Sequence, residues 1–188
     1  MLPNRPLSFR LTRRTVLCSG ALFAAGLFRA EAAPQLGSDG LYEEPWLLKP
    51  TFDLRKDFAA VIAANKSFVL MWELRGCSWC RLLHTANFAR PDIADFAKEN
   101  FGFLQLNLRG SGSYVDFDGE KLPEELLGLK YEVASTPTIQ FFAPAGRAAP
   151  QELGRISYRN PDEFLRILRL IRAERNGEIQ FDQWERSR

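Results

Sequence analysis

Three cysteines, one histidine and two methionines are all that 188 residues offer a soft metal ion or a disulfide framework. A closed zinc site takes four nitrogen or sulfur ligands. Cys77 and Cys80 form one close pair, and beyond them the chain holds only Cys18 and His84, so the second pair is missing. The same count excludes a small secreted scaffold stapled by several bridges. Long apolar runs are absent as well: the uncharged run from Val16 to Phe28 falls short of the roughly 20 residues a spanning helix needs. Charge of one sign is also scarce, with 25 basic against 23 acidic residues and a net charge of +2. No internal repeat is visible.

The N-terminus explains the slight basic excess. Arg10, Arg13 and Arg14 precede the apolar run, and Ala30-Glu31-Ala32 follows it with a small-x-small cleavage pattern, which reads as a signal peptide over residues 1–32. Thr12-Arg13-Arg14-Thr15-Val16-Leu17 carries the paired arginines of a twin-arginine export signal, although Val16 replaces the usual Phe and no Lys follows Leu17. The alternatives are the general secretory route and an uncleaved anchor. Residues 1–32 hold five Arg and one Glu, so the remainder has 20 basic and 22 acidic residues and a net charge of −2. Neither nucleic acid nor an anionic membrane is implied as a partner, and no membrane anchor is left after cleavage. Cleavage also removes Cys18, leaving an exported, periplasmic protein whose two cysteines are Cys77 and Cys80.

Cys77-Ser78-Trp79-Cys80 stands where an apolar run gives way to a helix. Thiols at i and i+3 on a first helical turn have Cα atoms roughly 5–6 Å apart, within reach of a disulfide. A helix N-terminus stabilises the thiolate of the first cysteine and makes it the nucleophile. The pattern points to thiol-disulfide exchange, with half a zinc site as the competing reading that the missing ligands disfavour.

In chain order, residues 33–50 read as an irregular lead-in, residues 51–175 as one α/β domain, and residues 176–188 as a charged tail with Ile179, Phe181 and Trp184 as docking residues. Leu54, Phe58, Val61 and Ile62 predict an amphipathic helix over 53–65 with Asp53 as its cap. Phe68-Val69-Leu70-Met71-Trp72 predicts a strand buried on both faces. A helix from Cys80 to Phe88 follows, then one from Pro91 with Ile93, Phe96 and Ala97 inward. Phe103 to Leu108 alternates as a second strand, giving β-α-β and a parallel pair. Residues 109–121 read as an inserted loop that selects partners or merely decorates the fold. Pro123 starts a short helix, and Thr138 to Phe142 and Glu152 to Ser157 are strands joined by turn residues at Pro144 to Arg147. Asn160-Pro161-Asp162-Glu163 starts a last helix with Phe164, Ile167, Leu168 and Ile171 on its inner face.

This order resembles the thioredoxin fold over about residues 45 to 173: a central mixed sheet of about four to five strands flanked by helices, with an insertion before the Thr136-Pro137-Thr138 segment. Phe68, Glu73, Gly76, Cys77, Cys80 and His84, spaced Phe-x4-Glu-x2-Gly-Cys-x2-Cys-x3-His, are similar to the SoxW-type periplasmic thioredoxins of sulfur-oxidising bacteria, as is Asp116-Phe117-Asp118-Gly119-Glu120. The resemblance implies an exported reductase of periplasmic protein disulfides, fed by a membrane thiol electron carrier and needing no cofactor. It implies Cys77 as nucleophile, Cys80 as resolving thiol, and Pro137 as a cis-proline against the disulfide that leaves the Thr136 backbone free to pair with substrate.

Where thioredoxin keeps a buried aspartate six residues before its first cysteine, this chain has Met71. Glu73 is the nearest acid; it either accepts the Cys80 proton or ends its strand in solvent. His84 either orients or protonates near Cys80, or is a half-buried histidine with a backbone partner. Arg75 either stabilises the Cys77 thiolate or is a surface arginine. Ser78 and Trp79 tune the pair, and Trp79 also reads as a platform for a partner. Two other functions fit: a disulfide oxidant or isomerase, and a Cu(I) chaperone using Cys77, Cys80 and His84. A redox-inert structural disulfide is the third alternative.

Overall fold

A computed structural model describes residues 34–144 and 150–177. The signal segment 1–32 with Cys18, most of the turn at 144–147, and Ile179, Phe181 and Trp184 lie outside the described residues.

Seven residues from Ser67 to Glu73 form β3, which is buried along its whole length. It has this environment because it sits inside a four-stranded sheet of order β4-β3-β7-β8, where β4 is Phe101–Asn107, β7 Thr138–Ala143 and β8 Gln151–Ile156. β4 runs parallel to β3, with Phe68 opposite Gly102, whereas β7 and β8 are antiparallel to their neighbours. The expected thioredoxin architecture, a mixed α/β sheet flanked by helices, is the one observed, with four strands.

Strand alternation divides the core in two. Val69 and Met71 of β3, with Phe103, Ile139 and Phe141, face α3 (Pro91–Asn100) and α5 (Pro161–Arg175). Phe68, Leu70 and Trp72, with Leu104, Leu106 and Phe142, face the other way, toward Leu54 and Val61 of α1 (Leu54–Ala63) and Leu127 of α4 (Glu124–Lys130). Each fully buried Phe or Leu contributes roughly 1.5–3 kcal/mol. Phe164, Ile167, Leu168 and Ile171 of α5 are all buried, and Asn160 Oδ1 caps that helix by accepting from the Glu163 N–H at 3.0 Å. In α3, Ile93 and Ala97 are buried as their spacing predicts, with Ala94 beside them, while Phe96 is half-buried.

Two stretches differ from their sequence reading. The lead-in read over 33–50 is not irregular where it is described, from residue 34: Gln35–Leu36 (β1) and Tyr42–Glu43 (β2) pair as a hairpin, and the segment after it docks on the sheet. The Leu48 N–H donates to the Phe103 carbonyl, and the Trp46 ring meets Phe88 and Phe103 edge-on. Scattered aromatics with no period gave no element to predict, yet they are what pins this strap. The inserted loop likewise folds into a small hairpin, Ser113–Val115 (β5) against Lys121–Pro123 (β6), so Pro123 precedes α4 rather than opening it. Tyr114 and Asp116 are buried, and Asp116 is held by the Tyr131 hydroxyl and by Lys130. That anchoring makes the hairpin part of the α4 side of the core.

Candidate redox site

β3 ends at Glu73, and the chain turns at Gly76, whose φ of +76° is a left-handed conformation suited to glycine. Cys77 then caps α2 (Ser78–Leu82), which continues as a π-helical turn from Leu83 to Phe88. Cys77 and Cys80 are joined as a disulfide with Cα atoms 5.2 Å apart. The two sulfurs have unlike surroundings. Cys77 is half-buried at the surface, whereas Cys80 is 2% exposed. The Cys80 backbone N–H points at Cys77 Sγ from 3.1 Å, the kind of donor that favours a thiolate there once the disulfide is reduced.

On one flank of the disulfide, Cys77 Sγ lies 3.4 Å from the Thr136 carbonyl oxygen, and the Thr136–Pro137 bond is cis. Trp79, 55% exposed, has its ring centroid 5.0 Å from that of Tyr158. Together with Ser135, Thr136, Pro137 and Ser157 these two rings line a groove of about 360 Å³. Ser78 is exposed at the start of α2. Tyr158 was not singled out from the sequence. It follows β8 with no motif, and only the sheet order brings it to Trp79.

A separate cavity of about 490 Å³ is lined by Cys77, Cys80, Glu73 and Arg75, and by Leu41 and Tyr42 of the strap. Glu73 does not end its strand in solvent; it is fully buried. Its carboxylate accepts from His84 Nε2, 3.1 and 3.2 Å from its two oxygens, and from the Gln105 amide at 2.5 Å. His84 is not the half-buried histidine with a backbone partner that its helix position suggested. It is fully buried, and its Nδ1 lies 3.0 Å from Glu44 Oε1, a carboxylate the sequence reading passed over. Burial by itself lowers the His84 pKa, but the hydrogen bonds and charges of Glu44 and Glu73 more than offset it and push it up to about 9. Arg75 is exposed, and its Nε donates to the Asp39 carbonyl at 3.0 Å, so its guanidinium is anchored to the strap.

This ion cluster has a consequence for stability. His84 gains its proton more readily in the folded chain than its ordinary value of 6.5, so its contribution is complete below about pH 6.5 and is lost as pH rises through about 9. Urea melts at about pH 6 and about pH 10 should show lower stability at the alkaline end. A curve with no loss between them would contradict the paired imidazolium.

With both His84 nitrogens turned to carboxylates, the Cu(I) arrangement of Cys77, Cys80 and His84 lacks its third ligand. What the site can do is break and re-form one S–S bond, with an accessible sulfur beside a groove and a buried sulfur sharing a cavity with a carboxylate.

Comparison with known proteins agrees with this geometry. Residues 54–172 match the model of a thioredoxin-like domain family. Among solved structures, a thioredoxin from Thermus thermophilus is similar at 21% identity and a TM-score of 0.51, over 64% of this chain and 85% of that one. A thioredoxin-fold protein from Helicobacter pylori is similar at 21% identity and a TM-score of 0.51, over 69% of this chain and 89% of that one. These likenesses are of fold. No curated protein gives a significant match.

Proposed function

The chain belongs to the thioredoxin-like domain family, and from that premise we propose that it is an exported reductase of periplasmic protein disulfides that works through Cys77 and Cys80. The observation that carries this reading is the asymmetry of the pair: Cys77 at the surface beside Thr136 and Pro137, Cys80 buried beside the Glu73 cavity.

In the dithiol form the Cys77 thiolate attacks one sulfur of a partner disulfide. A Cys77–partner bond forms, the partner's own S–S bond breaks, and the released thiolate takes up a proton. Glu73 then accepts the proton of Cys80 across the cavity, which is roomy enough to hold water. The Cys80 thiolate attacks Cys77 Sγ, the Cys77–Cys80 bond forms, and the second partner thiolate leaves and is protonated. Two electrons have passed to the partner, and a membrane thiol carrier restores the dithiol. The partner chain lies in the groove of Trp79 and Tyr158, pairing with the Thr136 backbone. The SoxW-type spacing from Phe68 to His84 and the signal-like residues 1–32 support the periplasmic, reducing assignment.

Direction is a matter of potential. Equilibrating the Cys77–Cys80 pair against a glutathione buffer is expected to give a value well below about −150 mV; a value above it would make the protein a disulfide oxidant or isomerase instead.

A further inference from the structure

The strap that carries Glu44 precedes residue 54, where the family match begins, yet it is built into the redox site. Its turn residue Gly40, at φ +81°, lies so close to Arg75 that a Cβ would stand 2.6 Å from Arg75 Nε. Leu41 and Tyr42 wall the cavity that Glu73 and Cys80 share. Glu44, two residues on, is buried with its carboxylate on His84.

Hydrogen-bond counting makes this contact more than packing. A neutral imidazole has one N–H to give, but His84 meets carboxylate oxygens at both nitrogens, at 3.0 and 3.1 Å. With both carboxyls ionised, the two contacts are satisfied together only by the imidazolium. The Gln105 amide cannot replace it, because it already donates to the Tyr42 carbonyl at 2.8 Å and to Glu73. The titratable groups around His84 are Glu44 and Tyr42 from the strap, Glu73 from β3, and Cys80 four residues earlier; Gln105 from β4 is neutral, and the exposed Arg75 and Arg81 also line the cavity. The cluster therefore holds two carboxylates and one cation, a net charge of −1 beside Cys80, and Glu44 supplies the charge in excess of a simple ion pair.

We propose that Glu44 is a positioning residue of the redox site: it holds His84 as an imidazolium against Glu73, so that the strap sets the proton affinity on which the Cys80 step depends. This rests on the exchange reading above, in which Glu73 takes the Cys80 proton. Without the Glu44 charge, a carbonyl at that position still accepts from Nδ1, but His84 gives up its proton at lower pH than in the wild type, and Glu73 then faces a partner whose charge changes over that lower range.

His84 is the chain's single histidine, so its imidazole gives an isolated NMR signal. The experiment follows that signal against pH for wild type and Glu44→Gln, each as disulfide and as dithiol. The wild-type midpoint is expected near 9, and in Glu44→Gln it should fall by about one unit or more, the effect of removing an adjacent opposite charge. In parallel, the ratio of the variant's rate of reduction by dithiothreitol to the wild-type rate should change across the variant's His84 midpoint. An unmoved midpoint, or a rate ratio constant with pH, would overturn the proposal, because a merely structural role changes stability without adding a titration. Should Glu44→Gln not fold, the wild-type arm decides: the His84 midpoint must differ between disulfide and dithiol if the cluster is linked to Cys80, and equal midpoints refute it. Failure of the exchange reading shows separately, as wild-type protein that reduces no protein disulfide.

Discussion

Replacing Cys77 by serine is expected to drop disulfide reduction to the uncatalysed background, the largest functional loss available from one substitution. A hydroxyl at this position neither forms a disulfide nor reaches a nucleophilic anion near neutral pH. Cys80→Ser should behave differently. Cys77 stays accessible and keeps the neighbouring backbone N–H of residue 80, so the first attack proceeds, but no thiol is left to resolve it. The product is a stable mixed disulfide through Cys77, visible as a higher-mass band on non-reducing gels that reductant collapses. Purifying that adduct after expression in the native host identifies the bound protein. A Cys77→Ser protein with residual turnover, or a Cys80→Ser protein that captures nothing, would turn the pair into a structural bridge.

His84→Ala is expected to produce the largest loss of stability of any change at the site, about 3–5 kcal/mol, as for a buried ion pair from which one partner is removed. The change strips the cation from between Glu44 and Glu73, both buried, and leaves two carboxylates facing a vacated side-chain volume. Against a typical total of roughly 5–15 kcal/mol, such a loss removes from about a fifth of the stability to nearly all of it. Lowering the pH should restore part of it, since protonation is the remaining way for the two carboxylates to shed charge. Urea titrations of both proteins at two pH values measure this directly, and a variant as stable as wild type would mean that the ion cluster contributes nothing net.

The readable parts of this chain were those with a period or a spacing. β3 shows as five consecutive apolar residues, α5 as a cap followed by Phe164, Ile167, Leu168 and Ile171, and the redox pair as two cysteines three apart. Each signal is local, and the structure places each residue where its neighbours imply. The missed parts depend on partners far along the chain. Glu44 meets His84 40 residues away, Trp79 meets Tyr158, and Gln105 links Tyr42 to Glu73. A single acidic residue in an aperiodic segment announces no burial. The available sign was Tyr42, Leu47 and the Trp46 ring in so short a stretch, apolar surface that a chain seldom leaves wet. Glu73 and His84 were legible as types near the cysteines, but their burial and their place in an ion cluster with Glu44 needed the strap in place.

The docking of that strap also bears on solubility. β4 is an outer strand of the sheet, and parallel strands are seldom left with a bare rim. Here the rim is occupied by the bond from Leu48 to Phe103 and by the Gln105 amide on the Tyr42 carbonyl. The opposite outer strand, β8, protects itself with a register shift between Phe141 and Phe142 in its pairing with β7, and with the charged Glu152 and Arg155. A fragment begun at residue 54, where the family likeness starts, would keep Cys77 and Cys80 yet bare the β4 rim to a second molecule. Residues 42–48 thus cover the edge of β4 that a second molecule would otherwise meet strand to strand.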